Sequence, residues 1–263
     1  MVGWLHQLPA VVGAGLVVLA FLAPTMIGAS YLQPIIGRLL RKEKDPNMPV
    51  GFLLNAFTLY YAVLLALLTI AVLENYNKAE GAVGREATAL VALYRDIRGY
   101  PEPAREALIN LLRRYVDEET GAGWRSQRAG QSTTAAEALV DELNRQITEL
   151  RPEGKDGDDA LHANTVARFN QWVEARGARI QAGETHIPLI LWYVVLIGAA
   201  LNVAVLWLFD LGRLTHLIVS GVLISFIGLV IYMVAALDRP FRGPNGITPD
   251  YLLHVREQIS RTQ

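Results

Sequence analysis

Cysteine is absent from the 263 residues, which removes disulfides, thiol nucleophiles and cysteine-ligated metals from consideration. Charge is scarce as well. Asp, Glu, Lys and Arg make up 19% of the chain, against about 25% in an ordinary soluble domain. The net charge is −1, so no global basic bias points to nucleic acid. His6, His162, His186, His216 and His254 follow no metal-ligand spacing. HExxH, Gly-rich phosphate loops and GxSxG turns are all missing. Glu118 and Glu119 are neighbours that diverge on a helix, so they make a poor catalytic pair. From these absences we expect no enzyme activity, no resident metal and no cofactor.

What the chain does hold is apolar sequence, at 52% of its residues. Four long uncharged runs stand out, at residues 8–32, 52–73, 188–209 and 214–237. Each supplies the roughly 20 residues needed to cross a hydrocarbon core as a helix. The first run is too long and has too little positive charge ahead of it for a cleaved leader, so it reads as a retained span. Pro24 is expected to kink it. Trp192, Trp207, Tyr31, Tyr76 and Tyr232 fall near the ends of the runs, where interfacial anchors sit. The expected fold is all-α: an integral membrane protein with four spanning helices and a helical domain between the second and third.

Residues 1–73 then form a first membrane pair, 74–187 the helical extramembrane domain, 188–237 a second membrane hairpin, and 238–263 a C-terminal tail. The sequence DLGR (210–213) leaves room only for a tight turn within the second hairpin. Val83, Ala87, Leu90, Tyr94 and Ile97 keep a helical spacing, which predicts that the second span continues out of the membrane as one rod. Further helices are expected over 103–118, from Thr134 and Glu137 (capping-box spacing) to Leu150, and over 159–181. The sequence RPEGKDGDD (151–159) reads as a linker. Fifteen Lys/Arg against nineteen Asp/Glu in the insert read as solvated helix faces.

Four crossings put both termini and the insert on one side. Arg38, Arg41, Lys42, Lys44 and Arg213 crowd the two short loops on the other, which favours a cytoplasmic position for those loops. No ionisable side chain lies well inside a span, which argues against a proton relay or a charge-coupled carrier. On the second span, Asn55, Thr58, Ala62, Ala66 and Thr69 recur at steps of three and four. A stripe of this kind either lets helices pack closely or lines a pore built from several copies. Gly221, Ser225 and Gly228 on the fourth span read as packing contacts.

The sequence LDRPFRG (237–243) closes the last apolar run. Asp238 and Arg239 mark the water boundary, while Pro240 and Gly243 stop the helix. Phe241 is expected to return to the membrane interface, with Arg239 and Arg242 reaching lipid phosphates or the helix C-terminus.

This motif, residues 53–103 and the aromatic-aliphatic run 188–209 together resemble the bacterial four-pass proteins with a bestrophin-like domain of unknown function. Glu74, the Glu86–Ala87 pair, Trp124, Arg176 and Arg179 match positions typical of that family, as do Asp238, Arg239, Pro240, Phe241, Arg242 and Gly243. The family is remotely similar to bestrophins, pentameric anion channels whose second membrane helix lines the pore. The resemblance implies an oligomeric channel-like protein in the bacterial plasma membrane that passes small ions, anions favoured. The stripe from Asn55 to Thr69 would then face the axis, and lipid and further copies of the chain would be its partners. The alternative is a non-conducting scaffold or sensor whose helical domain binds another protein. The acidic calcium clasp of bestrophins has no counterpart here. Bestrophins also hold their helical region in the cytoplasm, opposite to the loop-charge argument, so both orientations stay open.

Overall fold

The computed structural model describes residues 8–32, 35, 47–131, 134–150, 158–243 and 246–261. The basic residues 38–44 and most of the expected 151–159 linker lie outside them. Among the described residues there is no strand. The protein is an all-α membrane protein with four transmembrane helices and a helical extramembrane domain. Its helices are α1 (Ala10–Tyr31), α2 (Asn47–Ile97), α3 (Ala104–Glu118), α4 (Trp124–Ala129), α5 (Thr134–Glu149), α6 (Asp158–Glu184), α7 (Leu189–Trp207), α8 (Arg213–Leu237) and α9 (Asp250–Ser260). A π-helical turn, Glu119–Gly123, joins α3 to α4.

Two compact units emerge. The membrane unit draws on Met1–Glu74, His186–Asp238 and Gly243–Asn245, and the helical unit on Asn75–Thr185, Arg239–Arg242 and Gly246–Gln263. α2 contributes to both as one unbroken helix of 51 residues. The expected rod is present, and Gly81 and Gly84 do not interrupt it.

In the membrane unit, α1 packs mainly along α8 and runs through Pro24 as a single helix. Gly228 brings that pair close: a Cβ there would lie 3.2 Å from Val18 Cα. Tyr61, Leu65, Leu68 and Val72 of α2 meet Val195, Ala199 and Val203 of α7 and Ile224, Ile227 and Ile231 of α8 in a dry core. Tyr61 donates its hydroxyl to Val195 O at 3.1 Å, beside Gly198. Asn47 ties the start of α2 to the turn before α8, donating Nδ2 to Asp210 O at 2.9 Å and accepting Asp210 N at 2.8 Å. Outside this core, Tyr60, Leu67, Ile70, Ile197, Val222 and Phe226 are all exposed. Such a belt has no place in water, and hydrocarbon is its natural solvent.

Gly28 carries a sharp steric requirement. A Cβ there would stand 2.2 Å from the indole of Trp207, whose Nε1 donates to Thr25 O at 3.2 Å. Gly28→Ala is expected to cost about 1–3 kcal/mol through overpacking. Gly15→Ala, which meets nothing within 4 Å, is expected to leave the thermal midpoint in detergent unchanged or slightly raised.

In the helical unit, the outer half of α2 is the central post. Val83, Leu90, Leu93 and Ile97 are fully buried against Leu112, Tyr115, Leu143, Ile147 and Trp172. The C-terminal segment is a packed element of this unit. α9 buries Leu252, Val255 and Ile259, and its Arg256 Nε meets Asp117 Oδ1 of α3 at 2.6 Å.

Candidate functional site

The stripe on the second span divides into two edges. Asn55, Ala62 and Ala66 are exposed, whereas Thr58 and Thr69 are half-buried. Thr58 Oγ1 donates to Asn202 Oδ1 at 3.1 Å, and the wholly buried Asn202 donates Nδ2 to Gly198 O at 3.0 Å. Thr69 Oγ1 turns back to Leu65 O at 2.8 Å. The edge nearer α7 therefore serves packing, with its polar atoms satisfied inside the membrane unit. The other edge, with Asn55, Ala62 and Ala66, is left exposed by the remaining spans.

A second constellation lies in the helical unit. The π-turn adds a residue to the α3–α4 connection, and Glu119 within it is buried. Gly123 makes room for that carboxylate: a Cβ there would lie 3.1 Å from Glu118 O and 3.3 Å from Glu119 Cδ. Arg179, projecting from α6, is the hub. Its Nε donates to Glu86 of α2, its Nη1 to Gln127 Oε1, and its Nη2 to Glu119 Oε1 at 2.7 Å. Tyr115 donates its hydroxyl to the other oxygen of Glu86 at 2.6 Å. The guanidinium also lies 5.5 Å from the ring centroid of Trp124, where the π-face favours a cation. Trp124 in turn donates Nε1 to Ile247 O at 3.3 Å and meets Phe241 edge-on at 5.5 Å.

Glu86, Glu119 and Arg179 are each at most 4% exposed. Burial works against the charge on Arg179, yet the two carboxylates prevail and hold its pKa above the ordinary value. Burial, and then the negative charges of Glu86 and Glu119, push the Tyr115 phenol well above its usual pKa. The sign of the resulting pH dependence follows from linkage. The unfolded chain loses the Tyr115 proton near pH 10 while the folded chain keeps it, so stability falls as pH rises above about 10. Tyr115→Phe is expected to flatten part of that alkaline decline, read as thermal midpoint against pH from 8 to 11.

Both carboxylates are committed to one guanidinium, so they do not form an acid–base pair facing a substrate. Among the described residues no group of three or more His, Asp or Glu side chains is placed to hold a metal. The constellation is a structural lock across α2, the π-turn, α4 and α6.

Of the positions marked by sequence, Glu86, Trp124, Arg179 and Phe241 come together in the helical unit, while Arg176 lies over the Tyr115 ring at 6.0 Å. Glu74 is exposed and Glu86 is wholly buried, so the two family-marked acids of α2 have different surroundings. Asp238 accepts the backbone N–H of Ile187 at 2.7 Å in the membrane unit. Phe241 corrects an expectation. It is 2% exposed in the core of the helical unit rather than at the lipid interface, because the edge of Trp124's ring offers it a dry contact. Arg242 takes the helix C-terminus of the two expected positions, its guanidinium lying against Gly130, the C-cap of α4. The motif is a folded turn: Arg242 N donates to Arg239 O at 2.9 Å, Ile247 N to Pro240 O at 2.8 Å, and Gly243 takes a left-handed φ of 81°.

Sequence reasoning missed Tyr115, Glu119 and Gln127 as members of one cluster. The only hint was ETGAG, a glycine-rich interruption within helical sequence, which is where π-turns are accommodated.

The model of the bestrophin-like domain matches residues 19–252 of this chain. No protein of curated function matches it. Among solved structures, a membrane protein carrying a single substitution is similar over 93% of this chain and 97% of its own, at 14% identity and a TM-score of 0.71. A bacterial bestrophin homologue from Klebsiella pneumoniae is similar over 92% and 99%, at 15% identity and a TM-score of 0.68. A further structure of that homologue is similar over 95% and 97%, at 15% identity and a TM-score of 0.66. At these identities the shared property is the fold, and it extends through the spans and the helical unit alike. The domain match over most of the sequence, on a chain whose marked positions converge on Arg179 and Trp124, makes this protein a member of the bestrophin-like family.

Proposed function

We propose that the protein is one subunit of a ring-shaped channel for small ions, anions favoured, with the membrane half of α2 lining the axis. The observation that carries this reading is the uncovered edge of α2. Asn55, Ala62 and Ala66 are exposed on a helix that crosses the hydrocarbon, although three other spans are available to cover them. An asparagine facing lipid is costly, whereas one facing a water-filled axis or a neighbouring copy is not. Small side chains at Ala62 and Ala66 would leave that axis open. The likeness to a bacterial bestrophin homologue supports a shared fold, and the anion preference and the second-helix pore are carried over by analogy from the resemblance to bestrophins. The bacterial plasma membrane is its proposed location, and five copies its proposed number.

Purified protein in liposomes tests this. The expected result is halide efflux above that of protein-free vesicles, with a reversal potential in a salt gradient that follows the anion. Efflux no faster than from empty vesicles overturns the channel and favours the scaffold reading. The orientation is read separately, from C-terminal reporters active only in the periplasm or only in the cytoplasm.

A further inference from the structure

The helical unit carries a groove of about 1190 Å³ along the outer half of α2, walled by α6 and α9. Its floor is low, formed by Gly81, Gly84 and Ala92, and Tyr251 stands at its wall 49% exposed. Arg85, Arg95 and Arg168 line it, against Glu80 as the one acid among the described residues. Arg168 has a distant partner, Asp96, at 4.0 Å. Arg85 and Arg95 are exposed and form no ion pair among the described residues. Low relief, an exposed tyrosine and free arginines are the features of a protein-docking surface.

The most acidic helix in the same unit is α5, with Glu137, Asp141, Glu142 and Glu149 against Arg145 alone. Arg145 is already held by Glu142 and Glu149 at 2.6 and 2.7 Å. That leaves Glu137 and Asp141, one helical turn apart on an exposed face, without a cation among the described residues. α5 lines no part of the groove. We infer that the groove of one copy receives α5 of the next, with Glu137 and Asp141 set against Arg85 and Arg95. This contact joins two different surfaces, so repeating it generates a ring where the rotation closes. The inference rests on the ring proposed above and names the surfaces that would build it.

The test is the mass of the full-length protein in detergent, by light scattering, at low and high salt. Wild type is expected to be a multimer that loosens as salt screens the charges. Arg85→Glu with Arg95→Glu, or Glu137→Arg with Asp141→Arg, is expected to weaken association at least about tenfold. The four substitutions together are expected to restore it, an outcome that mere misfolding would not give. A multimer indifferent to every reversal overturns this contact while leaving the ring intact. A monomeric wild type overturns both.

Discussion

Arg179→Met is expected to destabilise the helical unit by about 3–5 kcal/mol, the largest stability effect of any single substitution considered. The reason is charge left stranded. Glu86 and Glu119 are buried against two nitrogens of the same guanidinium, and removing it leaves two buried carboxylates without their cation. The measurement is thermal or denaturant unfolding in detergent, followed by tryptophan fluorescence, since Trp124 lies over Arg179. Adding Glu86→Leu and Glu119→Leu to Arg179→Met is expected to recover most of the loss, because an apolar triad removes the desolvation penalty along with the attraction. If Arg179→Met were nearly neutral, the triad would not be the lock described above.

The contrast between this triad and the spans explains what could be read in the sequence. The spans were legible because hydrocarbon demands an unbroken run of apolar residues, a strictly local pattern. The extension of α2 to Ile97 was legible for a similar reason, since Val83, Leu90 and Ile97 keep one face dry along the helix. The triad has no local pattern. Glu86 and Arg179 are 93 residues apart, and Glu119 and Arg179 are 60 apart. Each taken singly resembles any other charged residue on a solvated helix. The family pattern marked Glu86, Trp124 and Arg179 without giving the reason they belong together, and that reason is a hydrogen-bond network closed by folding. Phe241 misled for the complementary reason: an aromatic residue at the end of a span suits a membrane interface, and only the tertiary position of Trp124 draws it into a core. On α2, the spacing of the stripe was legible, but its division was not. Thr58 reads as a pore residue until Asn202, 144 positions away, accepts its hydroxyl.

That division decides which substitution probes conduction cleanly. Thr58→Leu would break a buried hydrogen bond and disturb the packing of α2 on α7, so a change in current would be ambiguous. Ala62→Phe adds its bulk on the uncovered edge. On the proposed axis, five phenyl groups would meet in one ring, constricting the pore and making it too apolar to stay wet. Halide efflux is expected to fall at least about tenfold, with the multimer mass and thermal midpoint retained. Retained mass with unchanged efflux would move the conduction path away from this edge.

Because the chain has no cysteine, single cysteines can be placed on α2 without background. The most direct test introduces Ala62→Cys and Ala66→Cys on the uncovered edge, and Leu67→Cys on the exposed apolar flank. Each variant, in a planar bilayer, is treated with a charged, water-soluble thiol reagent. The expected result is rapid modification at positions 62 and 66 with a step change in current, and none at 67. Modification at 67 with positions 62 and 66 inert would contradict an axis lined by this edge of α2.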